Sequence, residues 1–350
     1  MEGNKHKVLV IAPGRKTRGG ITSVIRHYAE HPLWIAWNCY WLETYIDRSN
    51  VEKLLYFFRS LIKFTWLIHK YTIVHIHFSE PPSAIRKCFF MIPSLLLGKK
   101  VILHFHSFSP DTTLNGGYRK LYRWMFRNAD AVIVLSAFWH KQVGDFLLAN
   151  SRLQVIHNPA KQYTSSSGRE QFILFAGTLN ARKGYKDLLA AFALLKHWHT
   201  DWKLVFAGNG ELEEARSLCR QLGITDQVEL KGWVDGDDKR RLFQRASVFC
   251  LPSYAEGFPM AVIDAMSHQI PVVATPVGGL KDIFREMEDL LYVPPGETKE
   301  LAARLDRMIL YPPLRNRLAA SASEKIRRYF DMDIIGAKLN GLYGELSGEG

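Results

Sequence analysis

The residues whose types and spacing could do chemistry concentrate in two stretches of the second half of the chain. In residues 251–280 (LPSYAEGFPMAVIDAMSHQIPVVATPVGGL), Glu256 precedes Gly257-Phe258-Pro259, and Asp264 follows eight positions after Glu256. A proline in the first turn of a helix loses no hydrogen bond, since its missing donor would be unpaired there anyway, and the neighbouring N–H groups point out of the helix end. Such an end suits a diphosphate. The two carboxylates lie about two turns apart, so they can accept hydrogen bonds from different hydroxyls of one extended ligand, as polyol-reading carboxylates do. Taken singly, Glu256 is equally a loop anion and Asp264 an ordinary helix-surface residue.

The second stretch, residues 175–185 (FAGTLNARKGY), reads as a strand, a glycine turn and a helix opening at Arg182-Lys183. Two cations beside a helix N-terminus form a receptacle for a departing diphosphate, whose charge grows as a bond to it breaks. A basic pair in a loop is also common as plain solvated surface.

The elements that must hold these residues follow from periodicity. Short apolar runs at 8–12, 73–76, 101–103, 131–135 and 153–156 alternate with helical patterns, which predicts an α/β unit with a parallel sheet covered on both faces. Residues 161–170 (KQYTSSSGRE) are polar and aperiodic and read as a linker. The alternation then restarts: strands at 172–176, 203–207, 228–230, 248–251 and 272–274, with helices at 185–198, 212–222, 239–245 and 260–267. Two doubly wound domains are expected, residues 1–160 and 171–332, with ligands at the carboxyl ends of their strands. At one such end, VILHFHS places His104 and His106 on one face. His75 and His77 on the preceding strand read as buried neighbours. Gly19-Gly20 after the opening strand permits close backbone approach, or simply a turn.

Length and composition bound the possibilities. A chain of 350 residues exceeds one ordinary core, and 47% hydrophobic with 23% charged residues is globular composition. Residues 1–7 are polar and lead straight into a strand, and uncharged apolar runs stay short of a membrane span, so a cytoplasmic protein is expected. Four separated cysteines fit small buried side chains better than disulfides or zinc. The net charge of +12 is unevenly placed: residues 1–160 hold 21 Lys+Arg against 9 Asp+Glu, and the remainder 25 of each. Residues 54–70 (LLYFFRSLIKFTWLIHK) are apolar, aromatic and basic. Residues 118–127 (YRKLYRWMFR) place Arg119, Arg123 and Arg127 at i, i+4 spacing beside aromatic residues. Basic amphipathic helices of this kind lie on anionic membranes; the same pattern also suits a domain helix with a solvated face. No nucleic-acid motif accompanies the charge.

The phrase running from Glu256 through the Gly-Phe-Pro turn to Pro271 and Gly278-Gly279 resembles the E-x7-E motif of the family-4 retaining glycosyltransferases (glycosyl transferases group 1). The resemblance implies a GT-B fold, two Rossmann-like doubly wound domains facing across a cleft, with a nucleoside diphosphate sugar held by the second and the acceptor by the first. It gives Glu256 a donor-sugar hydroxyl, the backbone of Gly257, Phe258 and Pro259 the sugar and diphosphate, and Asp264 the ribose, although the family has the longer Glu there. Arg182 and Lys183 match the phosphate-binding pair, with Thr178 where many relatives carry a further Arg. Gly208 in VFAGNGE and Val234 in Gly232-Trp233-Val234 match the donor and base loops, Gly19 and Gly20 the loop near the donor phosphates, and His106 the histidine on the donor sugar. The run Asp235-Gly-Asp237-Asp238 has the spacing of a metal-binding DxD, but the family needs no metal, and it reads as a solvated turn. The last helical stretch, about 333–350, is expected to return to the first domain.

The expected protein is therefore a metal-independent enzyme, without a cofactor, that transfers a sugar with retention from a nucleoside diphosphate sugar to a carbohydrate. That acceptor is expected to be lipid-linked, in cell-surface polysaccharide biosynthesis on the inner face of the membrane. A nucleotide-sugar epimerase of the same fold and a non-catalytic binder of nucleotide sugar or membrane are the alternatives.

Overall fold

The computed structural model describes residues 6–145, 152–164 and 168–348. The chain divides into two compact units: Met1–Pro159 with Tyr329–Gly350, and Ala160–Arg328.

In the first unit the strands are β1 Val8–Ala12, β2 Tyr40–Glu43, β3 Ile73–Phe78, β4 Lys100–Phe105, β5 Ala131–Val134 and β6 Arg152–Val155, all parallel, in the order β2-β1-β3-β4-β5-β6. The central strands are buried along almost their whole length, as helices on both faces require. The helices are α1 Gly20–Glu30, α2 Pro32–Ala36, α3 Asn50–Leu67, α4 Pro81–Leu96, α5 Arg119–Asn128 and α6 Ala137–Gly144. Strand β2 escapes sequence reading because it lies inside an aromatic-rich run, residues 34–43 (WIAWNCYWLE), with no alternation to bound it; it is entered through Asn38 at φ 43°.

Two of these helices carry the basic excess, and they differ. Helix α5 turns Tyr122, Met125 and Phe126 into the core, leaving Arg119 and Arg127 exposed and Arg123 half-buried. Its aromatic residues, Trp124 apart, are thus unavailable to a membrane, because the sheet beneath needs an apolar cover. Helix α3 starts at a capping box in which Ser49 and Glu52 exchange backbone hydrogen bonds. It buries only Ser60 and Phe64. Leu54, Leu55, Phe58, Ile62 and Trp66 stay exposed, the last at 77%, with Phe89, Ile92 and Leu96 exposed on α4. Among the described residues no helix is long and apolar enough to cross a membrane.

The second unit repeats the plan with β7 Glu170–Ala176, β8 Lys203–Ala207, β9 Val228–Leu230, β10 Ala246–Leu251, β11 Val272–Ala274 and β12 Leu291–Tyr292, in the order β12-β11-β10-β7-β8-β9, again all parallel. Helices α7 Tyr185–Leu195, α8 Leu212–Leu222, α9 Gly236–Arg245, α10 Met260–Ser267 and α11 Thr298–Leu310 connect and cover it. The two-residue β12 lies below what sequence periodicity can register.

The segment read as a linker is not free of structure. Unit two begins at Ala160, the Tyr163 ring stacks on His268 at 3.8 Å, and Glu170 already belongs to β7. A polar composition concealed one aromatic anchor; residues 165–167 lie outside the described residues. The later boundary falls inside α12 Pro312–Phe330, and the last helix, α13 Met332–Ser347, belongs to the first unit. There Asn340 accepts from Trp37 Nε1 at 2.8 Å, and a Cβ at Gly336 would lie 2.6 Å from the His31 ring, so only glycine lets α13 sit this close.

Candidate functional site

Strands β7 and β10 are parallel neighbours, so the loops leaving their carboxyl ends emerge side by side although 73 residues separate their charged groups. In the first loop Asn180 Oδ1 accepts from the Lys183 backbone N–H at 3.1 Å, closing a single 3₁₀ turn over Ala181–Lys183. Gly184 ends that turn at φ 66°, where any Cβ would lie 2.1 Å from the Pro252 carbonyl oxygen. The turn therefore presses against the β10 loop, and the Tyr254 N–H donates to the Arg182 carbonyl at 2.7 Å.

This packing brings three predicted residues together. Lys183 Nζ donates to Glu256 Oε1 at 2.5 Å, Arg182 Nη1 lies 3.4 Å from Glu256 Oε2 and donates to the Ala255 carbonyl at 2.6 Å, and Ser253 Oγ donates to Glu256 Oε1 at 2.7 Å. Glu256 is only 7% exposed. Burial alone would raise its pKa, but the charges of Lys183 and Arg182, with the hydrogen bonds of Lys183 and Ser253, hold it below the usual carboxylate range. Glu256 therefore serves as a charged acceptor. Behind it, Gly278 at φ 61° would place a Cβ 2.2 Å from the Glu256 carbonyl, and the Gly279 N–H donates to the Gly257 carbonyl at 3.0 Å. The Gly-Gly pair thus seats the Glu256 loop from below.

The next loop follows the same logic. A Cβ on Gly208 would meet the Gly177 carbonyl oxygen at 1.8 Å, and Leu179 donates to Asn209 at 2.7 Å, so the β7 and β8 loops approach backbone to backbone. Phe258 is buried, which leaves backbone groups of Gly257-Phe258-Pro259 at the start of α10. Pro259 occupies the N-cap, one position before the first helical residue, and no side chain caps that end.

Residues 159–325 match the family described as Glycosyl transferases group 1, and residues 1–161 match Glycosyltransferase Family 4. The chain belongs to the group 1/family 4 glycosyltransferases, with the GT-B fold. It is 31% identical over 175 residues to an uncharacterised glycosyltransferase of Methanocaldococcus jannaschii, covering 50% of this chain and 45% of that one. It is 29% identical over 180 residues to phosphatidyl-myo-inositol mannosyltransferase of Mycobacterium leprae, covering 51% and 47%. The chain thus spans about half the length of these curated relatives. Anabaena HepE in complex with UDP-glucose superimposes with a TM-score of 0.81 at 18% identity, over 97% of this chain and 99% of that one.

In this glycosyltransferase-family chain the remaining predicted residues are distributed as follows. Asp264 Oδ2 accepts from Lys239 Nζ at 2.6 Å, an ion pair from α10 to α9 that stands apart from the contacts around Glu256. Lys239 went unnoticed because its 25-residue separation from Asp264 gives no local pattern. Val234 is half-buried in the loop before α9. Asp237 and Asp238 lie in the first turn of α9, where the helix dipole favours them, and they pair with Arg240 and Arg241. That arrangement accounts for the DxD spacing.

In the first unit, Gly19 is the N-cap of α1 at φ 144°, no side chain caps that helix, and Gly19 and Gly20 are exposed. His104 is fully buried while His106, just past the end of β4, keeps partial exposure. Of the two histidines, only His106 can meet a ligand. Sequence reasoning missed Ser253, Asn180 and Thr275, whose hydroxyl donates to the Ser253 carbonyl at 2.5 Å. They are small polar residues whose role is visible only in the contacts they make.

Proposed function

We propose that this protein transfers a sugar from a nucleoside diphosphate sugar to a carbohydrate acceptor, with retention of the anomeric configuration and without a metal. The observation that carries the reading is the buried Glu256 carboxylate held by Lys183, Arg182 and Ser253 where two strand-end loops meet. Donor binding separates this cluster: Glu256 accepts from a sugar hydroxyl, and the two cations turn to the diphosphate. The C1–O bond to phosphate breaks, the acceptor oxygen bonds to C1 on the same face, and the acceptor proton passes to the departing phosphate oxygen. Arg182, Lys183 and the N–H groups opening α10 stabilise the charge that develops on that phosphate. With Glu256 holding a sugar hydroxyl in this reading, it is not the nucleophile, and transfer follows the front-face route rather than a covalent glycosyl-enzyme.

The acceptor in this reading is lipid-linked, met at the inner face of an anionic membrane during cell-surface polysaccharide assembly. The exposed apolar row of α3 with Arg59 and Lys63 exposed on the same helix supports it, since cations near the surface each add about 1 kcal/mol of attraction to such a membrane. So does the name of the mycobacterial relative, a phosphatidyl-myo-inositol mannosyltransferase.

The test is incubation of purified protein with a panel of labelled nucleotide sugars and membrane lipid extract, with and without chelator. Labelled lipid of retained configuration at an unchanged rate in chelator is expected. Free epimerised donor points instead to an epimerase, and donor binding without turnover to a non-catalytic partner; either result overturns the proposal.

A further inference from the structure

Strands β3 and β4 place four imidazoles on one face of the first sheet. His77 pairs with His104 in register, and His75 and His106 lie one step to either side. Neighbouring rings stack at 4.3–5.4 Å between centroids, with planes within 4–29° of one another. Burial lowers all four pKa values, those of His75 and His106 to about 3, so each ring is neutral near pH 7 and carries one N–H and one acceptor nitrogen.

The hydrogen bonds give the row a direction. Tyr343 of α13 is buried, its phenol stays protonated, and its oxygen lies 2.7 Å from His75 Nδ1; donation from the hydroxyl to Nδ1 is the arrangement that gives the phenol proton an acceptor. His75 is then protonated on Nε2 and donates to His104 Nδ1 at 3.3 Å. His104 in turn carries its proton on Nε2. At the other end, His77 Nδ1 and His106 Nε2 lie 3.0 Å apart. Among the described residues, His104 Nε2, His77 Nε2 and the Tyr28 hydroxyl are buried without a partner. The Tyr28 ring lies 6.2 Å from that of His77 and 6.5 Å from that of His104.

We propose that Tyr343, His75, His104 and His77 form a one-way hydrogen-bond chain that fixes His106 as the tautomer protonated on Nδ1. One bound water closes the chain: it accepts from His104 Nε2–H, donates to His77 Nε2 and bonds to the Tyr28 hydroxyl, which supplies the two to four polar partners a buried water needs. His77 then donates from Nδ1 to His106 Nε2. One nitrogen of each of His75, His77 and His104 lies within 4.8 Å of the others, but a metal ion there would displace a hydrogen bond of His75, which already uses both nitrogens. His77 is thus a positioning residue, and Tyr343 puts α13 at the start of the chain that ends at His106. What the Nδ1–H donor does for a sugar rests on the donor reading above; the tautomer itself does not.

Long-range proton–nitrogen spectra of protein labelled with ¹⁵N-histidine read the tautomers without any donor sugar. Nε2–H is expected for His75 and His104, and Nδ1–H for His77 and His106; an Nε2–H form of His106 overturns the proposal. His77→Gln keeps an amide donor for His106 and His77→Phe does not. The Gln variant is expected to hold the His106 tautomer and most of the transfer rate, whereas the Phe variant shows mixed tautomers and loses at least about tenfold in rate. Equal loss in both, with the His106 signal unchanged, assigns the row to packing and overturns the chain.

Discussion

Glu256 occupies a position where charge and backbone support each other: the carboxylate neutralises Lys183 and Arg182, and its loop rests on Gly278. Replacing it with Gln removes the competitor for both cations while the shape persists. Glu256→Gln is therefore expected to bind a nucleoside diphosphate more tightly by calorimetry and to transfer sugar about 100-fold more slowly or worse. Weaker diphosphate binding in that variant would contradict the shared-cation arrangement. Gly278→Ala forces a Cβ into two carbonyls at positive φ and should destabilise the second unit by about 2 kcal/mol or more. Denaturant titration checks it, and a shift under 0.5 kcal/mol, within ordinary surface-mutation scatter, speaks against the close approach. Lys87 is a buried cation whose hydrogen-bonding partner is the Thr44 hydroxyl, and burial holds its pKa well below the ordinary lysine range. Lys87→Met removes that desolvation and should raise the melting temperature by about 2–4 °C.

At the scale of elements, α3 and α5 read alike in sequence, since both mix aromatic residues with arginine or lysine. The sheet separates them by burying the aromatic face of α5 and leaving that of α3 outside. Vesicle sedimentation with anionic lipid is expected to fall sharply for Phe58→Ser with Trp66→Ser at any salt. For Arg119→Ala with Arg127→Ala it should fall modestly and only at low salt, because a purely electrostatic contribution is screened. Equal binding of all variants and the parent would remove the membrane assignment. The strand and helix cores were legible because parallel strands are continuous apolar runs and α8 and α10 repeat at helical spacing. Strands β2 and β12 were not, since β12 has only two residues and β2 lies inside an aromatic-rich run, residues 34–43 (WIAWNCYWLE), with no alternation to bound it.

For the whole molecule, the four lowered histidines make an expected pH dependence that separates the units. Between pH 6.5 and the folded pKa, the unfolded chain binds protons that the folded rings refuse. Stability is therefore full above pH 6.5 and falls with decreasing pH, by about 1.4 kcal/mol per pH unit for each such histidine. The second unit has one comparable residue, His268, and the lowered pKa of Glu256 acts only below the ordinary carboxylate range. Hydrogen exchange should thus show protection of β3 and β4 dropping between pH 7.5 and 5.5 more than that of β7 and β10; equal loss would place the histidines in water. The sequence by itself determined two α/β units, the family motifs and the charged side chains Arg182, Lys183 and Glu256 in strand-end loops, because residue type, period and loop glycines are local properties. Tertiary structure alone decided that Glu256 is closed by Lys183 and Ser253, that Asp264 answers Lys239, that α3 rather than α5 exposes its apolar face, and that Tyr343 reaches the histidine row. Each of those depends on which strands lie side by side, and strand order is a long-range choice that no local spacing encodes.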